Sequence, residues 1–184
     1  MGRRRGSDVT SMGPGLVYAQ AQDADADGIQ AVAGESWRAT YGDIFSPEYI
    51  AEFVGRAYSI QGLVRAIGNP RSVFLVAKDG ARVIGFCHFG EGAQGPELFR
   101  MYVLPDYWRT GTGSRFLRLL ESGLVERRVS EYFCYVHARN EIGKAFYMKY
   151  GFVHDAERDK DDEWCMRRSL ARPGGNARPG GHIP

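Results

Sequence analysis

The run "PELFRMYVLPDYWRTGTGSRFLRLLESGLVERRVSEYFCYVHA", residues 96–138, constrains the fold more than any other part of the chain. A β-rich stretch stops at Pro105. Two glycines, Gly111 and Gly113, open an amphipathic helical pattern that runs from about Gly111 to Arg128. A second β-rich stretch, "SEYFCYVHA", follows. The strand–helix–strand from this stretch is expected to be a right-handed parallel crossover. The expected sheet is therefore mixed, antiparallel at the front with one parallel pair inside and a helix lying across it.

The flanking segments add antiparallel strands. "SVFLVAKDGARVIGFCHFG" is two β-rich runs around Lys78-Asp79-Gly80, a hairpin signal, and "GLVYAQA" near the start is a short strand. Between them lie helical patterns. "DADGIQAVAGESWRATYGDI" sets Ile29, Val32, Ala33 and Trp37 on one face, with Asp23 or Asp25 as N-cap. "SPEYIAEFVGRA" begins with Ser46 as N-cap and Pro47 at the first helical position. "SIQGLVRAI" is a third helical piece, stopping before Asn69-Pro70. After the crossover come a short helix, "NEIGKAFYMKYGF", capped by Asn140, and two strands around the charged turn "DAERDKDDE". The expected fold is α/β of the mixed α+β kind. It is a single domain over residues 14–170, with a six- to seven-stranded mixed sheet and helices on both faces.

Residues 1–13 and 171–184 are expected to be flexible tails. The first is basic and the second repeats Arg-Pro-Gly-Gly with almost nothing to bury. The net charge of +2 has its source there: each tail carries +2, so the remainder carries −2. A near-neutral core argues against nucleic acid as a partner. No apolar run approaches the ~20 residues that span a bilayer, which argues against a membrane. The basic start lacks an apolar segment behind it, and Gly6 stands where a myristoylation signal wants Ser or Thr. A cytoplasmic location is the expectation. Cys87, Cys134 and Cys165 are far apart in apolar stretches and are expected to be small buried hydrophobes. No Cys/His cluster has metal-ligand spacing, so no metal is expected.

A helix N-terminus presents N–H groups without intrahelical partners, plus the positive end of the helix dipole. Phosphates bind there when the backbone can come close, and glycine permits that approach. Thr110, Thr112 and Ser114 add hydroxyls and Arg109 a cationic fork. Neither common nucleotide fingerprint fits, since no Lys-Ser/Thr follows the second glycine and Phe116 stands where a third glycine belongs. Alone, the glycine pair is equally a tight turn.

The order of parts narrows this. A strand like "ELFRMYVLPDY", a loop like "WRTGTGS", another strand and a helix like "NEIGKAFYMKYGF" follow one another, and "SWRATYGDIFSPEYI" lies near the start. In this arrangement the chain resembles the GNAT N-acetyltransferase superfamily over most of residues 15–170. The family loop is usually written Q/R-x-x-G-x-G/A. Here Trp108 stands where Gln or Arg is commonest, and Arg109 comes one position later.

The resemblance implies acetyl-CoA as donor, a primary amine of a small molecule or peptide as acceptor, and direct attack in a ternary complex. It implies the pyrophosphate on the amides of Arg109, Thr110, Gly111, Thr112, Gly113 and Ser114. It implies the pantetheine arm along Met101, Tyr102 and Val103, with Asn140 bonding its side. The attacking nitrogen must shed a proton, since an alkylamine has a pKa near ~10. A carboxylate can take it directly or through water, and Glu97 is the candidate. On simple alternation Glu97 shares a face with Phe99 and Met101. Tyr147 matches the family's Phe-Tyr position, where the hydroxyl protonates the leaving thiolate, and a backbone N–H such as that of Val103 would hold the oxyanion. The acidic residues Asp43, Glu48, Glu52 and Glu91 and the charged turn fit a cationic acceptor as well as a solvated surface. A non-catalytic CoA-binding module on the same fold is the alternative. The resemblance also leaves a homodimer open, with no interface legible in the sequence.

Overall fold

The computed structural model describes residues 15–170. Seven strands form one sheet: β1 (Val17–Gln20), β2 (Val73–Asp79), β3 (Arg82–Gly92), β4 (Gly95–Val103), β5 (Glu131–His137), β6 (Val153–His154) and β7 (Glu163–Ser169). Five helices accompany them: α1 (Ala26–Tyr41), α2 (Pro47–Ala57), α3 (Ile60–Ile67), α4 (Thr112–Glu126) and α5 (Glu141–Lys149). The strand order is β1-β2-β3-β4-β5-β7-β6. All neighbours are antiparallel except β4 and β5, the pair joined through α4. The two tails expected to be flexible lie outside the described residues.

Local chemistry explains most element boundaries. Ser46 Oγ accepts from Tyr49 N–H at 3.2 Å and Pro47 occupies the first turn of α2, as its sequence signal requires. Asn140 Oδ1 accepts from Gly143 N–H at 2.8 Å and so caps α5. Of the two cap candidates, Asp25 stands at the N-cap position of α1, as the last residue of a 3-10 turn, Asp23–Asp25, but its side chain makes no cap bond to α1. It reaches back to Gln22 N–H at 3.0 Å, capping the 3-10 turn, and pairs with Lys78 of β2. A buried carboxylate needs a charge partner, and Lys78 supplies it.

The sheet separates two helical layers. Phe116 of α4 lies over Gly85 and meets Tyr18 edge-on at 5.4 Å, and Tyr132 of β5 donates to Glu121 of α4 at 3.0 Å. On the other face Trp37 of α1 donates through Nε1 to Tyr102 Oη at 3.1 Å, and Tyr58 packs on Phe86. The core fills both sides: Ile29, Leu63, Phe74 and Phe86 on the α1 side, Phe116, Leu120, Leu124 and Tyr132 on the α4 side. Each such side chain contributes roughly 1.5–3 kcal/mol by leaving water. All three cysteines are free and buried. Among the described residues no helix is long and apolar enough to cross a membrane, and no cluster of His, Cys, Asp or Glu could hold a metal ion.

Candidate active site

The sheet is not continuous at its centre. β5 and β7 pair at seven positions, but β4 and β5 pair at one, Glu97 with Phe133. Past that point β4 runs on to Val103 without a partner on the β5 side. Leu104 N–H donates to Ile84 C=O of β3 at 2.9 Å. Peptide groups alternate direction along a strand, so those of Met101 and Val103 turn toward the opening.

The end of that free edge is closed by side chains. Val103 C=O accepts from Trp108 Nε1 at 2.7 Å and from Ser36 Oγ at 3.2 Å. Trp108 thus ties the glycine loop to the strand it leaves. Sequence reasoning marked this residue only as a departure from the family pattern, because its partner is a backbone carbonyl with no signature.

The loop itself is built for a close backbone approach. Arg109 and Gly111 both have positive φ, 63° and 91°, and Gly111 is the N-cap of α4 in the left-handed region that glycine tolerates. A backbone that alternates in this way forms an anion-accepting concavity. The hydroxyls serve the loop: Thr110 Oγ1 donates to Tyr107 C=O at 2.7 Å and lies 2.9 Å from Thr112 Oγ1, and Ser114 Oγ donates to Gly111 C=O at 2.8 Å. The first bond of α4 from its own backbone runs from Arg115 N–H to Gly111 C=O. The amides of Thr112, Gly113 and Ser114 therefore stand at the helix start without intrahelical acceptors. Gly113 has a second reason to be glycine. A Cβ there would meet the Phe146 ring of α5 at 3.1 Å, so its absence lets the two helices close up. The residues present fit a pyrophosphate and its extended arm: free amides at a helix start, then an unpaired strand edge. Arg109 is exposed.

Asn140 has both polar ends engaged. Besides capping α5, its Nδ2 donates to Tyr41 Oη at 3.1 Å, linking helices on opposite faces of the sheet. Tyr147 is buried on the α4 face, and burial, followed by the neighbouring Cys134 thiol, holds its hydroxyl well above the usual range. It stays protonated at neutral pH.

Glu97 is half-buried, and its place differs from the alternation estimate. The β3–β4 register shifts between His88 and Phe89: His88 faces Arg100, and Phe89 faces Leu98. Phe99 is the extra residue of a bulge, which flips everything N-terminal to it. Glu97 therefore faces the α1 side with Arg100 and Tyr102, while Met101 faces α4. Its carboxyl lies over Gly92. Burial raises its pKa, Lys160 lowers it and Glu163 raises it.

The α1 face around the opening is aromatic. Trp37 stacks on Phe53 at 4.1 Å and contacts Tyr41 at 4.5 Å, and His137 takes the edges of Tyr41 and Phe45 at 6.0 and 5.5 Å. Trp37 and Tyr41 thus both fill the core and border the opening. Tyr107 packs against the edge of the core, and its hydroxyl donates to Asp79 at the end of β2 at 2.7 Å.

Comparison with known proteins agrees with this geometry. Residues 70–154 match the family described as Acetyltransferase (GNAT) domain. A spermidine N(1)-acetyltransferase of Thermoplasma acidophilum is 34% identical over 138 residues, covering 72% of this chain and 86% of that protein. An uncharacterized N-acetyltransferase of Mycobacterium tuberculosis is 27% identical over 153 residues, covering 79% and 98%. The crystal structure of the PaiA N-acetyltransferase of Thermoplasma acidophilum in complex with coenzyme A superposes with a TM-score of 0.80. It is 29% identical and the match covers 85% of this chain and 99% of that one. With its single parallel crossover, glycine-opened helix and parted central strands, the chain belongs to the GNAT N-acetyltransferase superfamily.

Proposed function

We propose that this enzyme moves an acetyl group from acetyl-CoA to a primary amine by direct attack in a ternary complex. The observation that carries the reading is the opening between β4 and β5, paired only at Glu97 and Phe133, with the amides at the head of α4 beside it. The pyrophosphate sits on the amides of the loop from Arg109 to Ser114. The pantetheine arm adds to the free edge of β4 through the peptide groups of Met101 and Val103, with Tyr102 holding the strand to the α1 layer. Val103 C=O is already engaged, so its N–H is the group that faces the reacting carbonyl. Asn140 borders this arm from the start of α5.

Two proton movements complete the reaction. Glu97 accepts the amine's proton, directly or through water, and burial, by raising its pKa, makes it a stronger base than an exposed glutamate. Tyr147, kept protonated by burial, donates to the departing thiolate. The aromatic α1 face, with Glu97 on it, suits a cationic acceptor, and the similarity to a spermidine N(1)-acetyltransferase makes polyamines the first class to try. Three buried free thiols fit a reducing cytoplasm.

The test is thiol release from acetyl-CoA with a panel of polyamines, amino acids, aminoglycosides and peptide N-termini. Turnover with at least one amine is expected. Saturable CoA binding with no thiol release from any of them would make the protein a CoA-binding module.

A further inference from the structure

The strap between β6 and β7 lays two cations on two rings. Arg158 stands over Phe133, 4.3 Å from the ring centre, and Lys160 over Tyr135 at 3.5 Å. Phe133 and Tyr135 are two residues apart on β5, so both rings face the α1 side, as Glu97 does. Phe133 sits at the one position where β4 and β5 pair. Tyr135 lies beyond it, where the strands have parted.

The seat of Lys160 is not the one its neighbours in sequence would dictate. Asp159, Asp161, Asp162 and Glu163 surround it, yet its ammonium forms no ion pair among the described residues. The strap is pinned on both sides of it. Lys160 N–H donates to Glu163 C=O at 3.0 Å and Glu163 N–H to Lys160 C=O at 2.7 Å, while Asp159 accepts from Cys165 N–H at 2.7 Å. This fixed backbone aims the side chain at the ring. The Tyr135 hydroxyl is buried with no well-formed hydrogen bond, and Lys160 and the Cys165 thiol are its polar neighbours. Glu97 is within electrostatic reach of both Lys160 and Glu163.

A primary ammonium on an aromatic face, within electrostatic reach of a carboxylate and where the strands have parted, is the state an acceptor amine must reach before it loses its proton. We propose that the face of Tyr135 is the subsite for the acceptor's ammonium group, and that Lys160 is a tethered surrogate which the acceptor displaces. This rests on the reading of the protein as an amine acetyltransferase. The ligand class is a primary alkylammonium on a slender unbranched stem, the shape the lysine side chain itself presents. Lys160 then sets specificity by competition: only amines that bind the ring better than a neighbouring lysine gain access.

Two measurements on the full chain test this, one independent of turnover. Tetramethylammonium, which has no N–H to acetylate, is titrated by NMR; spermidine is the acceptor in steady-state assays. Lys160→Gln removes the charge and shortens the side chain by one atom. It is expected to tighten tetramethylammonium binding by about fivefold and lower the KM for spermidine by a similar factor, with kcat little changed. Tyr135→Leu should weaken the ion by about fivefold. If Tyr135→Leu does not fold, the Lys160→Gln result decides alone. Unchanged ion binding and KM in Lys160→Gln would overturn the subsite and leave the acetyltransferase reading standing. Ion binding that follows the variants in a protein without turnover would keep the subsite and remove that reading.

Discussion

The two faces of the sheet meet the central opening with different chemistry. On the α4 face the working groups are main-chain amides, shaped by Gly111 and Gly113 and braced by hydroxyls and Trp108 within a few residues of sequence. On the α1 face they are side chains from four distant segments: Glu97 on β4, Tyr135 on β5, Trp37 and Tyr41 on α1, and the strap after β6. Under the proposed function the donor half would meet a constant group, a pyrophosphate and its arm, for which backbone suffices. The acceptor half would meet an amine that differs among enzymes, and side chains can change there without disturbing the fold.

If the halves are separable, variants should divide the kinetic constants between them. The largest effect is expected from Glu97→Gln, with kcat/KM for the amine falling roughly 10²-fold or more while CoA affinity holds. The same variant tests pH dependence. As pH falls through the raised pKa of Glu97, the carboxylate takes up a proton and can no longer accept one from the amine. Wild type should therefore lose activity on the acid side above the ordinary glutamate range, and Glu97→Gln should lack that limb. A wild-type pH–rate profile flat through this region would exclude Glu97 as the base.

Tyr147→Phe should lower kcat roughly ten- to hundredfold, the low end of general-acid effects because a thiolate leaves readily, with acetyl-CoA affinity preserved. An unchanged kcat would end its role as donor. Gly111→Glu is next. It forces a side chain into positive φ at about 1–2 kcal/mol and sets a negative charge in the phosphate path. Calorimetry should find CoA bound about tenfold or more weakly, with the amine's KM unmoved; a shift in the amine's KM instead would break the division into halves. Trp108→Phe is the smallest. It removes one hydrogen bond to Val103 C=O while Ser36 keeps the other, so thermal unfolding should register about 0.5–1.5 kcal/mol.

Legibility followed the same division. The crossover, the α2 and α5 caps and the glycine loop were readable because each depends on residues within one turn or strand of each other. The residues chosen for the site lie on β4, the loop before α4, and the start and body of α5. The Glu97 face was misjudged because the Phe99 bulge shifts alternation, and a bulge is set by how β3 pairs with β4. Asp25 holds the cap position that the sequence marks, but its pairing with Lys78, 53 residues away, had no local signal. Lys160 could not be singled out from a run of charges, since its ring partner sits on another strand.

Sequence alone determined the class of fold, the parallel crossover and the backbone loop, because period, proline and glycine act through local sterics. Tertiary structure alone decided where β4 and β5 part, which face Glu97 occupies, what Trp108 holds and where Lys160 rests. Those depend on strand register and on contacts between distant segments, which no local pattern encodes.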